Sequence, residues 1–403
     1  MKKSIQLNKN VKISNGIILI IFFMLFIFVE IPVKYFHASS NWEGIAVGMF
    51  TFIIISMAIS KYYKYRIKTG YLKIIGLFFF ILIVQYMIDS FIFINLNNFR
   101  FVITYFSFGL LFIISMLFIN IINMTEEKVF HNTILSAYKL LVGLGILSIF
   151  IDRNMIIFSE PSHFALVYLP LLLYMAYTSR SLKRIFHLSI GFIFAFLIKD
   201  LTLLTGIVLI LILLYRRAIF VFIPSVIIMF IIANMDYIKH NYFISRIRFF
   251  SNHNNNLSSL VYISGWQRAY LSFFKSYGLG LGFDQMGFVG PKGSVINYMV
   301  NNLHMPRILN LFDGGTLAPK IIAELGVLGI VLIITYFYFF IYMYNKFVKR
   351  KIIYKSSNIF FSSVFVMFSL ALFVRADGYF MPITFMFLAS IYWFYLNRKG
   401  HII

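Results

Sequence analysis

Asp313-Gly-Gly-Thr-Leu-Ala-Pro-Lys-Ile-Ile-Ala-Glu-Leu-Gly-Val-Leu-Gly-Ile-Val-Leu-Ile-Ile-Thr-Tyr-Phe-Tyr-Phe-Phe-Ile-Tyr-Met-Tyr344 runs from a polar, glycine-bearing turn into a long apolar segment. A bilayer-spanning helix needs about 20 mainly apolar residues, and the segment from 317 to 344 exceeds that. Ahead of it lies the one long stretch of the chain that is not apolar, residues 236–316. The fold follows from this contrast. Of the 403 residues, 61% are hydrophobic and only 12% charged, and the mean hydropathy is +0.87. No soluble domain hides that much apolar surface, so lipid is the solvent for most of the chain.

Working outward from 317–344, the same criterion predicts spans near 15–33, 44–60, 72–94, 99–123, 134–152, 163–179, 185–199, 201–215, 218–235, 357–375 and 380–397. The expected fold is therefore an all-α, polytopic membrane protein of about twelve helices. It forms a single membrane domain over 1–403, with one large loop (236–316) between the ninth and tenth helices. The first apolar segment follows Lys2, Lys3, Lys9 and Lys12 and lacks a small-residue cleavage site, so it reads as a retained helix.

The net charge of +23 would suit a nucleic-acid binder. Here, however, the basic residues sit in short clusters between apolar runs, which is the pattern of membrane topology. Most of the 36 lysines and arginines fall on one side if both termini are cytoplasmic: the N-terminal lysines, 61–73, 180–184, 216–217 and 346–355. That places 236–316 outside the cytoplasm, and no nucleic-acid partner is expected. There is no cysteine, hence no disulfide and no cysteine nucleophile. No Walker loop, no cluster of metal ligands and no Asp-X-Asp pair is found, so no cofactor is expected. Chemistry at this surface would start from an already activated donor.

The expected outer side gathers polar groups that can do chemistry. Glu160-Pro-Ser-His163 opens the sixth span. Pro161 and a carboxylate suit a helix start, and Glu160 and His163 are also placed to take a proton from a hydroxyl. Arg153 and Arg268 are candidate phosphate clamps, because a guanidinium matches phosphate oxygens bidentately. Arg268 lies in Ser264-Gly-Trp-Gln-Arg268, ahead of Gly278-Leu-Gly-Leu-Gly282. The run of Gly278, Gly280 and Gly282 predicts positive φ and an anion-binding nest of backbone N–H groups. Arg246 and Arg248, in Tyr242-Phe-Ile-Ser-Arg-Ile-Arg-Phe-Phe250, suit either anionic lipid or substrate. Lys199-Asp200 reads as a capped turn with its own ion pair, Arg375-Ala-Asp-Gly378 as an outer connection, and Ser251-Asn-His-Asn-Asn-Asn256 as a solvated segment.

Three of these places, taken in order, carry a resemblance. Ser159-Glu-Pro-Ser-His-Phe-Ala165, Gly265-Trp-Gln-Arg268 with the glycine run after it, and Asp313-Gly-Gly-Thr-Leu-Ala-Pro-Lys-Ile-Ile-Ala-Glu-Leu-Gly326 resemble the Wzy-type O-antigen or oligosaccharide repeat-unit polymerases. These belong to the wider O-antigen ligase/polymerase superfamily. The resemblance implies a GT-C-like glycosyltransferase in the bacterial inner membrane, metal-independent and dependent on a lipid diphosphate. It would move a growing glycan from undecaprenyl diphosphate onto the terminal sugar of a new lipid-linked repeat unit. The implied partners are that undecaprenyl-diphosphate-linked oligosaccharide, membrane lipids and a chain-length regulator protein. Arg153, Arg246, Arg248, Arg268, Arg375 and the three glycines would hold diphosphate and glycan. Glu160, His163 and Asp313 are the catalytic candidates, with His304 a further candidate for the base.

Two alternatives stand beside this expectation. An O-antigen ligase typically carries a histidine just before the helix after the large loop, where this chain has Asp313-Gly-Gly-Thr316. A lipid-linked oligosaccharide flippase should bury charges midway along its helices and show two similar halves. Here the charges fall at the ends of the expected spans, and only one half has a long loop.

Overall fold

A computed structural model describes residues 15–36, 41–60, 68–93, 96–151, 155–215, 217, 246, 256–306, 310–349 and 355–397. The expected ninth span, most of 236–255, and Arg153, Arg248 and Arg307 lie outside the described residues. Among the described residues the regular structure is helical; the nearest thing to a strand is one isolated bridge between Met286 and Val289.

The first rod is α1 (Asn15–Phe22), a π turn, a 3-10 turn and α2 (Ile31–Phe36). Then follow α3 (Asn41–Ser60), α4 (Thr69–Ile92), α5 (Asn98–Met124), α6 (Glu127–Phe150), α7 (Pro161–Thr178), α8 (Ser181–Leu197) and α9 (Leu201–Leu214). The long polar stretch holds α10 (Leu257–Lys275) and α11 (Ser294–Asn302). It leads into α12 (Leu317–Val348), α13 (Ser356–Phe373) and α14 (Pro382–Asn397). Each expected span that falls on described residues thus coincides with helix, the first of them interrupted. Among the described residues six helices are long and apolar enough to cross a membrane: Gly16–Phe36, Thr69–Ile92, Asn98–Met124, Glu127–Phe150, Leu317–Val348 and Ser356–Phe373.

Burial sorts the helices into centre and rim. α13 and α7 are buried along nearly their whole length and pack on each other; α13 also packs on α12 and α14. The rim helices instead turn large apolar side chains outward, among them Phe80, Phe91, Phe106, Phe150, Phe186 and Tyr338. In water such a surface would drive aggregation; in a bilayer the hydrocarbon covers it.

Local chemistry sets the helix starts near one end of the bundle. Asn97 accepts from the Arg100 N–H, Asp200 from Thr202 and Asn256 from Ser259, so each side chain satisfies an N–H that the helix leaves open. Pro161 occupies the first turn of α7, where its missing N–H costs nothing. Lys199 has a positive φ of 57°, which turns the chain from α8 into α9.

α12 is broken. Gly326 has φ 55° and ψ −128°, a region that only glycine enters easily. The break is splinted by the glycine-rich run. Leu281 and Gly282 donate backbone hydrogen bonds to the carbonyls of Ala323 and Glu324, and Val327 donates to Gly278. A Cβ on Gly280 would lie 2.2 Å from the Glu324 carbonyl oxygen, and one on Gly326 would lie 2.0 Å from that of Gly278. The glycines are therefore required for backbone-to-backbone approach.

Candidate functional site

The ends of α1–α2, α4, α5, α7, α12 and α13 meet the 256–316 segment and bring nearly half of the chain's few acids together. Of the 13 acidic residues in the sequence, Glu30, Glu160, Asp284, Asp313, Glu324 and Asp377 join in one electrostatic set with His163, Arg268, Lys320, Arg375 and Arg100. A low-dielectric surround makes such a set costly to assemble, so each contact must be made well.

The first part of the set joins the first rod to α7. Lys34 Nζ donates to the Phe158 carbonyl at 3.0 Å, and the Tyr35 hydroxyl donates to that of Ile156. These bonds seat Glu30, fully buried, against the start of α7. Glu30 Oε2 accepts from both the backbone N–H and the hydroxyl of Ser159, each at 2.9 Å. His163 Nδ1 lies 3.0 Å from Ser159 Oγ and 3.0 Å from Glu30 Oε1. The Ser159 contact has hydrogen-bond geometry, and the Glu30 Oε1 contact is a charge pairing beside it. His163 Nε2 is buried and has no hydrogen-bond partner among the described residues.

The second part is the opening. Arg375 Nη2 donates to both oxygens of Glu160, at 3.0 and 2.9 Å. The Glu160 side chain is 47% exposed and that of Arg375 23% exposed, so this pair faces outward while the His163 side chain behind it is 4% exposed. Burial alone would push the Glu160 carboxyl up. Arg375 and then His163 outweigh it and hold Glu160 below the usual carboxylate range. Asp377 is pushed up by burial and by the neighbouring Asp313, against the pull of His163.

The third part belongs to the turn before α12. Asp313 accepts from the Gly315 N–H at 2.8 Å and from Asn310 Nδ2 at 2.9 Å, which closes the turn on itself. The Gly315 carbonyl accepts from the Ala376 N–H at 3.0 Å, joining this turn to the Arg375 turn. Gly265 on α10 lets the turn come close: a Cβ there would meet the Gly314 carbonyl oxygen at 2.0 Å. Arg268, 2% exposed, donates to the carbonyls of Asn310 and Leu311. Burial lowers its pKa to about 10, with Asp313 and Glu324 opposing, so it is still a cation at neutral pH. Its Nε is buried and unpartnered, as is Thr316 Oγ1.

The fourth part is closed. Lys320 Nζ sits 2.8 Å from Asp284 Oδ1 and 3.1 Å from Glu324 Oε1, and also donates to the Phe312 carbonyl. Asp284 Oδ2 accepts from Arg100 Nε at 2.6 Å and Thr104 Oγ1 at 2.7 Å. Glu324 accepts from the Tyr379 hydroxyl and from the N–H groups of Asp284 and Met286. Every carboxylate oxygen here has a donor, so this part anchors structure. Lys320 and Arg100 outweigh the effect of burial and hold Asp284 below its ordinary range.

Several expectations change against this geometry. The N–H groups of residues 278–282 all donate within the protein: Gly278 to Phe273, Leu279 to Ser276, Gly280 to Ser276 Oγ, and Leu281 and Gly282 to α12. Gly278, Gly280 and Gly282 therefore form a splint, and the expected anion nest is not there. Arg268 is a strut through two of its nitrogens, where an open clamp was expected. Asp200 takes no ion pair from Lys199; its charge partner is Arg246, and its own pKa is raised to about 6 by burial. That pairing sets Arg246 apart from the joined set. His304 is exposed and joins no part of it. Arg153 and Arg248 lie outside the described residues. Glu160, His163, Asp313, Arg268 and Arg375, expected from distant segments, do come together.

Sequence reasoning missed Glu30, Lys320, Glu324, Asp284, Arg100 and Asp377. The first three had a signal: each is an ionisable residue within an apolar run, with Lys320 and Glu324 four apart on one helix face. The helix-end placement of charge holds, but these charges are buried inside the bundle's end, not spread over its surface. No family model, curated protein or solved structure matches this chain.

Proposed function

We propose that this chain is a multi-pass glycosyltransferase of the repeat-unit polymerase type, with about twelve spans, a GT-C-like arrangement and both termini in the cytoplasm. It would transfer an undecaprenyl-diphosphate-linked glycan onto a new lipid-linked unit at the outer face of a bacterial inner membrane. The carrying observation is the Glu160–Arg375 pair, half open, with the buried His163 directly behind it. A lipid-linked sugar reaching the end of the bundle from the bilayer meets a carboxylate for its hydroxyls and a guanidinium for its phosphate. Arginine-stabilised departure of a diphosphate needs no nucleotide. The order of the three motifs and the basic clusters on the opposite side support the same reading.

The test is direct. Purified protein in lipid, given undecaprenyl-diphosphate repeat units, is expected to build a ladder of products without nucleotide or added metal. The absence of a ladder with the correct repeat unit overturns the assignment. A lipid-linked oligosaccharide flippase is the alternative that the same experiment separates. It predicts movement of the unit across proteoliposome bilayers and no change in its mass.

A further inference from the structure

We propose that Glu30 and Ser159 are positioning residues that fix the proton of His163 on Nδ1, so that Nε2 is the nitrogen that takes the proton of the acceptor hydroxyl. This rests on the glycosyltransferase reading above, and goes beyond it in assigning the base and what aligns it.

The hydrogen-bond directions make the assignment. Glu30 Oε2, on a fully buried carboxylate, lies 2.9 Å from Ser159 Oγ and can only accept, so the single hydroxyl proton points at Glu30. Ser159 Oγ, 3.0 Å from His163 Nδ1, is then left to accept, and Nδ1 must carry a proton. Glu30 Oε1, 3.0 Å from Nδ1 on the other side, favours the same proton electrostatically. The Ser159 N–H completes the arrangement by holding Glu30 Oε2 at 2.9 Å. Among the described residues, the ring's hydrogen-bond and ion-pair contacts are thus on its Nδ1 side. Nε2 is buried, has no hydrogen-bond partner among the described residues, and belongs to the ring that shares Glu160 as an electrostatic neighbour with Arg375.

The charged groups around the ring come from each packed element: Glu30 and Lys34 from the first rod, Glu160 from the start of its own helix, and Arg375 and Asp377 from the turn after α13. Arg375 is paired with Glu160, and Asp377 and Asp313 lie in the same charge set; His163 is distinguished by a buried ring nitrogen without a hydrogen-bond partner among the described residues. In the step, the acceptor hydroxyl gives its proton to Nε2 as its oxygen bonds to the donor's anomeric carbon. The bond from that carbon to the phosphate oxygen breaks, and the electron pair leaves with the lipid diphosphate. Nε2 then returns the proton to water or to the released diphosphate.

The experiment uses the full chain in nanodiscs with ring-15N histidine, His163→Asn serving to assign the signal. The wild type is expected to show a protonated Nδ1 and an unprotonated Nε2; a ring protonated on both nitrogens overturns the inference, because Nε2 would then have no lone pair for the acceptor proton. Glu30→Gln, whose amide can donate to Nδ1, should shift the ring toward the other tautomer and lower kcat about a hundredfold with KM little changed. Glu30→Asp should recover part of both. An unchanged tautomer in Glu30→Gln overturns the inference, as does an unchanged kcat. If Glu30→Gln does not fold, Ser159→Ala makes the same test by removing the relay oxygen. A wild type with protonated Nδ1 that builds no polymer overturns the base role through the functional reading, and leaves the ring arrangement standing.

Discussion

The Gly278 carbonyl accepts a hydrogen bond from the Val327 N–H at 2.8 Å, across the point where α12 loses helical geometry at Gly326. A break in a helix entering a bilayer exposes backbone groups that hydrocarbon cannot satisfy. The glycine run satisfies them, and this explains why three glycines recur at alternate positions.

Gly280→Ala and Gly326→Ala should each cost about 3 kcal/mol or more, since both add a Cβ into a carbonyl and force a non-glycine residue to positive φ. Gly76→Ala, where a Cβ meets nothing within 4 Å, should be neutral or slightly stabilising. Thermal unfolding in detergent, followed by size-exclusion chromatography, separates the two classes. Equal melting of all three variants would show that the splint does not hold the break.

Lys320→Met leaves Asp284 and Glu324 as buried carboxylates without their shared cation. Removing one partner of a buried charge set costs about 3–5 kcal/mol. The yield of folded protein should drop sharply, and Lys320→Met with Asp284→Asn should recover part of it. A double variant worse than the single one would contradict the anchoring role.

Glu160→Gln weakens the pair with Arg375. Because the pair is partly exposed, its effect on stability should be about 1 kcal/mol or less. The sign follows from the depressed pKa of Glu160. A carboxyl with a lowered folded-state pKa stabilises above its unfolded value and loses that contribution as pH falls through the folded one. Unfolding midpoints of wild type and Glu160→Gln should therefore differ at neutral pH and converge below the usual carboxylate range. Activity should fall much further than stability, by about tenfold or more.

Arg268→Ala and Arg268→Lys are expected to insert normally and to lose chain growth, alanine completely and lysine by about tenfold or more. Lysine is a single point charge and cannot span the Asn310 and Leu311 carbonyls as the guanidinium does. Full-length polymer from Arg268→Ala would detach this residue from the site.

Residues 317–344 were legible as a span because apolar length alone decides it, and the same holds for α4, α5 and α13. The break within α12 was not, because Gly326 is one of several glycines and only the glycine run packed against it reveals its geometry. Glu160, His163 and Asp313 were visible as polar groups beside helix starts. The Asp284–Arg100 pair lies between residues 184 positions apart, and nothing local in either segment announces it. Gly278, Gly280 and Gly282 show the opposite failure. The positive φ angles were read correctly, but the same angles serve an anion nest and a backbone splint, and only the acceptors of their N–H groups decide between them.

The shared hydrogen bonds at the break also bear on dissection of the molecule. Residues 278–282 and 323–327 complete each other's backbone pairing, so neither the polar segment nor the helix bundle has a self-sufficient boundary there. Excising 256–316 as a soluble fragment should yield an unfolded peptide, and deleting it should unravel the start of α12. The two regions are expected to melt as one cooperative unit, because each supplies backbone partners that the other lacks.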